Sequence, residues 1–301
     1  MFPNVSEVPT LKELVKFQTK VKEIKHFKHK LNPTSLSGNL ISKFKGQGLE
    51  FLQVRKYYPG DDIKNIDWKV TARVGHTQIK EFQIEKESEI AIISNIGAEM
   101  QFATFGKFKY LIACDIIALL CYAAEANKEK ISAYFFGNNH NRLTVFRQKN
   151  QKTIALEIFA FLTKKQSLKT KNTENNLLNS LKELNLVNKA KGILFIICDF
   201  NQIDQMIMDE IEHLKQRKTV YLCHIYDNCE KELPDIGNLT FSDYDGKKFT
   251  INSNDKKALA NYTKSFEKKQ QLLKKLSQDP NIYLINLPTN SDPLEQLVNR
   301  L

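Results

Sequence analysis

IAIISNIGAEMQFATFGKFKYLIACDIIALLCYAAEANKEKISAYFF, residues 90–136, decides the fold. It opens on a short apolar run at 90–95 and closes on another at 131–136, with a long apolar helix over 108–126 between them. Strands that are apolar at consecutive positions bury both faces. A strand–helix–strand unit of that kind belongs to a parallel sheet covered by helices on either side.

The same rhythm continues downstream. Strands are expected at 143–147, 193–198, 219–225 and 282–287, and helices at 153–166, 175–187, 203–218 and 255–277, before a short closing helix. Residues 239–251 read as a hairpin around Asp245-Gly246. The fold class is α/β, a doubly wound, mostly parallel sheet. The run 110–126 is short for a bilayer span and carries Asp115 and Glu125, so it is expected to be a buried central helix.

Upstream the texture changes. Residues 35–89 are rich in turns and short strands and are expected to form a small β-rich subdomain, with a break at Gly46-Gln-Gly48. Pro59 and Gly60 suit the central positions of a type II turn, and Asp61 or Asp62 can cap the short helix that follows. Residues 10–30 place Leu11, Leu14, Val15, Val21, Ile24 and Phe27 at helical spacing with lysines between them. The expected organisation is a basic amphipathic helix in 1–34, the β-rich subdomain in 35–89 and the α/β domain in 90–301.

Composition excludes several classes. With 42% hydrophobic residues, among them 19 Phe and 10 Tyr, the chain has enough apolar material for a sizeable core. Five cysteines (Cys114, Cys121, Cys198, Cys223, Cys229), mostly inside apolar runs, are expected to be reduced core thiols of a cytosolic protein. The first 30 residues show no apolar leader segment. The net charge of +11 comes from a chain in which only six of 45 basic residues are arginine, so it does not by itself indicate a phosphate-rich partner.

Catalytic motifs are missing: there is no GxxxxGK[ST] loop, GxSxG elbow, HExxH or CxxC. His26 and His29 are close in sequence, but neighbouring lysines repel a cation. Two places remain. RKYYPGDDIKNIDWKVTAR, residues 55–73, holds the only Trp and two of the six Arg, beside Asp61, Asp62 and Asp67. In a lysine-rich chain, Arg55 and Arg73 suggest sites that need a planar fork, such as pairing with those aspartates. The stretch is either a recognition surface or an ion-pair and turn framework. The second place is the loop after the strand at 90–95, together with Asp199. Ligands of open α/β sheets bind at such carboxyl ends, near the switch point of the strand order.

Several stretches resemble the MoxR-associated domain of unknown function 58 family, whose body is similar to a von Willebrand factor A domain. They are GLEFLQVRKYYPGDDIKNIDWKVTAR (48–73), KEFQIEKESEI (80–90), ILFIICDF (193–200), ELPDIGNLTFSDYDGKKF (232–249) and DPLEQL (292–297). The resemblance marks Arg55, Tyr57, Pro59, Gly60, Asp61, Asp62, Asp67, Trp68 and Arg73 as signature or partner-binding residues. It also implies a metal-ion-dependent adhesion motif, Asp-x-Ser-x-Ser, at Asn95, Gly97 and Glu99, all three of which depart from it. Its later threonine falls near Thr173 or Asn175, and Asp199 matches cleanly. Magnesium prefers a full set of hard oxygens, so the expectation is a degenerate site with no metal cofactor; weak Mg or Mn binding by Glu99 and Asp199 is the rival.

The family further implies a non-enzymatic adaptor or scaffold, bacterial and cytoplasmic, that works with a MoxR-type AAA+ ATPase and an unknown client protein. Membrane-anchored von Willebrand factor A companions would bring it to the periphery of the inner membrane. No specific nucleic acid is expected. One rival function is nucleic-acid or anionic-membrane binding through the N-terminal lysine-rich helix, which added salt would abolish. Another is a metal-dependent hydrolase built on Glu99 and Asp199.

Overall fold

A computed structural model describes residues 8–23, 49–84, 89–137, 143–147, 153–164, 176–235, 237–242 and 248–298. Its contacts divide the chain into two compact units, 34–87 and the remainder, the N-terminal segment belonging to the larger one.

In the larger unit, β3 (Glu89–Asn95) shows why an apolar run becomes a central strand. Ile90 and Ile92 enter one hydrophobic layer, while Ala91 and Ile93 enter the other. β4 (Lys130–Phe136), β6 (Gly192–Cys198), β7 (Lys218–Tyr226) and β10 (Ile282–Pro288) join it in parallel, and the short β5 (Thr144–Arg147) pairs antiparallel with β4. The order is β10-β7-β6-β3-β4-β5. The chain therefore grows outward in one direction from β3 and then reverses at β6. The sheet is doubly wound and mostly parallel, with its switch point between β3 and β6.

One layer holds α4 (Lys109–Asn127), buried from Ile112 to Ala124 and packed on by α1 (Leu11–Val15), α2 (Phe17–Glu23), α5 (Ile154–Leu162) and α10 (Pro293–Val298). The other holds α6 (Leu177–Val187), α7 (Gln205–Leu214) and α9 (Lys256–Leu276). By length and composition α4 is apolar enough to cross a membrane, and 78% of its apolar window is buried inside the protein. A helix apolar all round is what a position between a sheet and a helical layer requires.

Some expectations change. Instead of one helix over 10–30, the chain forms α1 and α2, which break at Lys16; residues 24–30 lie outside the described set. Leu14, Phe17 and Val21 pack inward at helical spacing across the break, while Leu11 and Val15 are exposed. The helix expected over 203–218 is shorter, because Asp204 caps it through Ile207 N–H and Lys218 already belongs to β7. β8 (Asn238–Ser242) and β9 (Lys248–Asn252) form the expected hairpin, its Asp245-Gly246 turn lying outside the described residues, as does Gly46-Gln-Gly48.

In the smaller unit, β1 (Leu49–Lys56) pairs antiparallel with β2 (Gln78–Ile84), with a register shift between Phe51 and Gln53. Between them lie a single 3-10 turn at Ile63–Asn65 and α3 (Trp68–Val74).

Candidate functional site

The switch point brings Asn95 and Asp199 to the carboxyl ends of adjacent strands, β3 and β6. Asn95 is buried and spends its amide locally: its Oδ1 accepts from Gly97 N–H at 2.8 Å, and its Nδ2 donates to Glu99 Oε1 at 2.9 Å. Gly97 has no room for a larger residue. A Cβ there would lie 2.8 Å from Glu99 Oε2 and 2.9 Å from the Gly137 carbonyl oxygen. The serine of an adhesion motif is thus absent from the loop and sterically opposed by it.

Asp199 is buried as well, and its oxygens are occupied. Oδ2 accepts from Asn201 Nδ2 at 2.6 Å and from the Lys109 ammonium at 3.3 Å, while Asn201 N–H reaches Oδ1 at 3.3 Å. The next residue, Phe200, holds φ at +51° with its ring in the core. That conformation costs an L-residue about 1 kcal/mol, offset here by ring burial.

Lys109, the first residue of α4, is 1% exposed, and its Nζ also lies 2.8 Å from Glu230 Oε1. Burial alone would lower its pKa; the carboxylates of Asp199 and Glu230 more than reverse this and hold the ammonium above its ordinary value. Glu230 sits in α8 (Asn228–Lys231), where its other oxygen accepts from Asp227 N–H at 2.9 Å in a capping box. Asp227 collects Thr104 N–H and Cys229 N–H at 2.9 Å, Thr104 Oγ1 at 2.5 Å and Thr289 Oγ1 at 2.6 Å. Burial pushes its pKa up and these bonds pull it below the usual carboxylate value. Together they pin the loop before α4, on which Phe105 stands 79% exposed.

Lys269 of α9 completes the cluster by donating to Asn201 Oδ1 at 2.7 Å. His224, fully buried beside Phe200, Tyr226 and Phe266, is pushed down to about 3 by burial and is therefore neutral near pH 7.

A divalent ion does not fit these residues. Asn95 and Asp199 are already hydrogen-bonded, Gly97 offers no oxygen from a side chain, and Glu99 is exposed and tied to Asn95. Among the described residues no group of three or more His, Cys, Asp or Glu side chains is arranged to hold a metal. Thr173 and Asn175 lie outside the described residues.

The signature stretch forms its own framework in the smaller unit. Arg55 grips Asp61 with two bonds of 2.8 and 2.9 Å and reaches Glu81 at 3.4 Å. The guanidinium holds Asp61 down to about 2, helped by Tyr58 N–H. Asp61 N–H closes the turn onto the Tyr58 carbonyl across Pro59 and Gly60, the latter at φ +106° as a type II turn needs. Tyr57 is half-buried and donates its N–H to the Thr77 carbonyl. Asp62 caps the 3-10 turn; Asp67 caps α3 and lies 3.5 Å from Lys80. Arg73 departs from the expected pairing: it is exposed on the last turn of α3, with no ion pair among the described residues. Trp68 is 68% exposed, with Tyr58 at 61% and Ile63 at 65%.

Of the crevice cluster, sequence reasoning reached only Asp199. A lysine heading an otherwise apolar helix and the Asp227-x-x-Glu230 capping pattern were the available signals for the rest.

With this geometry in view, the family described as "Protein of unknown function DUF58" matches residues 53–272, most of the chain. The chain belongs to this DUF58 family. Its curated relatives include uncharacterized proteins of Mycobacterium bovis and Mycobacterium tuberculosis, each 23% identical over 210 residues, 69% of this chain. The match spans 64% of the length of those relatives. Among solved structures, the chain is similar to the SpRpn10 VWA domain, with a TM-score of 0.38, 10% identity and coverage of 71% of this chain and 95% of that one. An uncharacterized membrane spanning protein from Vibrio fischeri is also similar, with a TM-score of 0.23, 12% identity and coverage of 69% and 94%.

Proposed function

We propose that this DUF58 protein is a non-enzymatic interaction adaptor that couples a client protein to a MoxR-type AAA+ ATPase. The observation that carries this reading is the exposure of Trp68. A lone tryptophan turned to solvent, in a short stretch that also exposes Tyr58 and Ile63 and carries the Arg55–Asp61 pair, has the composition of a binding hot spot. The pinned loop that presents Phe105 offers the α/β body a second contact. Thiol chemistry has little support: burial raises the pKa of Cys114, Cys121, Cys198 and Cys223 well above the ordinary thiol value. His224 is too weak a base to activate a nucleophile.

The reading carries a cytoplasmic location, with contact to the inner membrane through companion proteins, and needs neither cofactor nor specific nucleic acid. The rival use of the N-terminal lysines for lipid or nucleic acid draws on a segment whose Leu14, Phe17 and Val21 are already packed inside.

Affinity capture from native cells, with and without ATP and magnesium, tests the proposal. An AAA+ ATPase should be enriched in a nucleotide-dependent way. Trp68→Ala should weaken that capture by about 2 kcal/mol, roughly 30-fold, while changing stability by less than about 0.5 kcal/mol. Capture of RNA or lipid alone, released by salt, would overturn it.

A further inference from the structure

Three elements converge on one buried ammonium. Asp199 follows β6, Glu230 lies on α8 after β7, and Lys109 enters from the first turn of α4. A helix N-terminus is an unfavourable place for a cation, because the helix dipole presents positive charge there. Its burial at 1% exposure therefore needs a local reason. That reason is the pair of carboxylates at 3.3 and 2.8 Å, which would repel each other without a cation between them.

We infer that the Lys109 ammonium is the resident cation of the crevice, holding Asp199 and Glu230 together in the place of a divalent ion. The charge pairing agrees. Both carboxylates of the pair are met by Lys109 directly, and Asp199 is also met by Lys269 through Asn201. A divalent ion entering beside these two ammoniums would meet like charge at short range in a largely buried space. It would also have to shed water for oxygens that already accept hydrogen bonds. The ammonium also lies over the Phe102 ring, with Nζ 5.9 Å from its centre, a further favourable contact for a cation there. The inference concerns the crevice alone and does not depend on the ATPase partner.

Manganese is the probe. Equilibrium dialysis of the full wild-type chain should show no saturable Mn2+ binding. Lys109→Met keeps the stem and removes the charge, and should melt at a lower temperature. Mn2+ at about 100 times its dissociation constant should then raise that melting point by about 5 °C, and the double variant Lys109→Met, Asp199→Asn should not respond. Saturable Mn2+ binding by the wild type that vanishes in Asp199→Asn would overturn the inference. So would a folded Lys109→Met that gains nothing from Mn2+. If Lys109→Met does not fold, the wild-type dialysis decides: saturable binding lost in Asp199→Asn refutes the inference, and its absence supports it.

Discussion

At the carboxyl edge of the sheet, Lys109 lies between two carboxylates, and Asp227 takes four hydrogen bonds. At the amino edge, Lys218 opens β7 just as deeply buried, yet among the described residues its ammonium has no hydrogen-bond partner and its ion-pair partner, Glu89 Oε2, is 3.8 Å away. Register explains the distance. Glu89, Gly192 and Lys218 occupy one row across β3, β6 and β7, so Lys218 must reach past the whole of β6. Glu129, just before β4, likewise has a buried oxygen without a hydrogen-bond partner among the described residues. The same sheet compensates charge fully at one edge and poorly at the other, and the compensated edge is the one with the crevice. Burial alone therefore does not reveal whether a charge stabilises; the groups facing it do.

The largest effect should come from removing the best-satisfied group. Asp227→Ala leaves two backbone N–H groups and two hydroxyls without their acceptor and should cost about 4–5 kcal/mol in urea unfolding. The wild-type contribution has a definite pH sign. The folded pKa of Asp227 is depressed, so its stabilisation is complete above the ordinary carboxylate pKa of about 4 and is lost as the pH falls through the folded value. An Asp227→Ala variant as stable as the wild type would remove the contrast between the edges.

Lys109→Met and Lys218→Met sharpen it, because the same substitution should have opposite signs. The first strands two carboxylates and should cost about 3 kcal/mol. The second replaces a buried ammonium that has no hydrogen-bond partner among the described residues, and only a distant carboxylate, by an apolar chain, and should gain about 1 kcal/mol at neutral pH. Burial depresses the pKa of Lys218, so the unfolded chain binds the extra proton. Wild-type stability should therefore rise as the pH climbs toward the ordinary lysine pKa of about 10.4, and Lys218→Met should lose that rise. Urea midpoints at neutral and alkaline pH measure both.

How much of this was legible in sequence follows from separation along the chain. β3, β4, β6, β7 and β10 were readable because each needs only its own consecutive apolar residues. Pro59-Gly60 was readable because a turn is local. The crevice cluster was not, since Lys109, Asp199, Glu230 and Lys269 come from four elements that meet only once the strand order is known. Asp199 was found through its position after a strand. The rarity of arginine pointed to Arg55, whose fork grips Asp61, and to Arg73, which is exposed and forms no pair with those aspartates among the described residues, because rarity says nothing about direction. The helix expected over 10–30 is interrupted at Lys16, although buried Leu14, Phe17 and Val21 keep helical spacing across the interruption, so periodicity alone did not reveal it.

The smallest effect belongs to Glu129. Burial pushes its carboxyl up to about 7, so the folded protein binds a proton more tightly than the unfolded chain between the ordinary value near 4.5 and 7. Stability contributed at this position is greatest at low pH and declines as the pH rises through that window, the reverse of Asp227. Glu129→Gln should abolish the decline, gaining about 1 kcal/mol at pH about 8 and little at pH about 4 once partial solvent access is allowed for. The urea midpoint of the variant minus that of the wild type, followed across this range, should grow with pH. A flat difference would mean that the Glu129 carboxylate finds a partner as it ionises, and the amino edge would then be as well compensated there as the crevice.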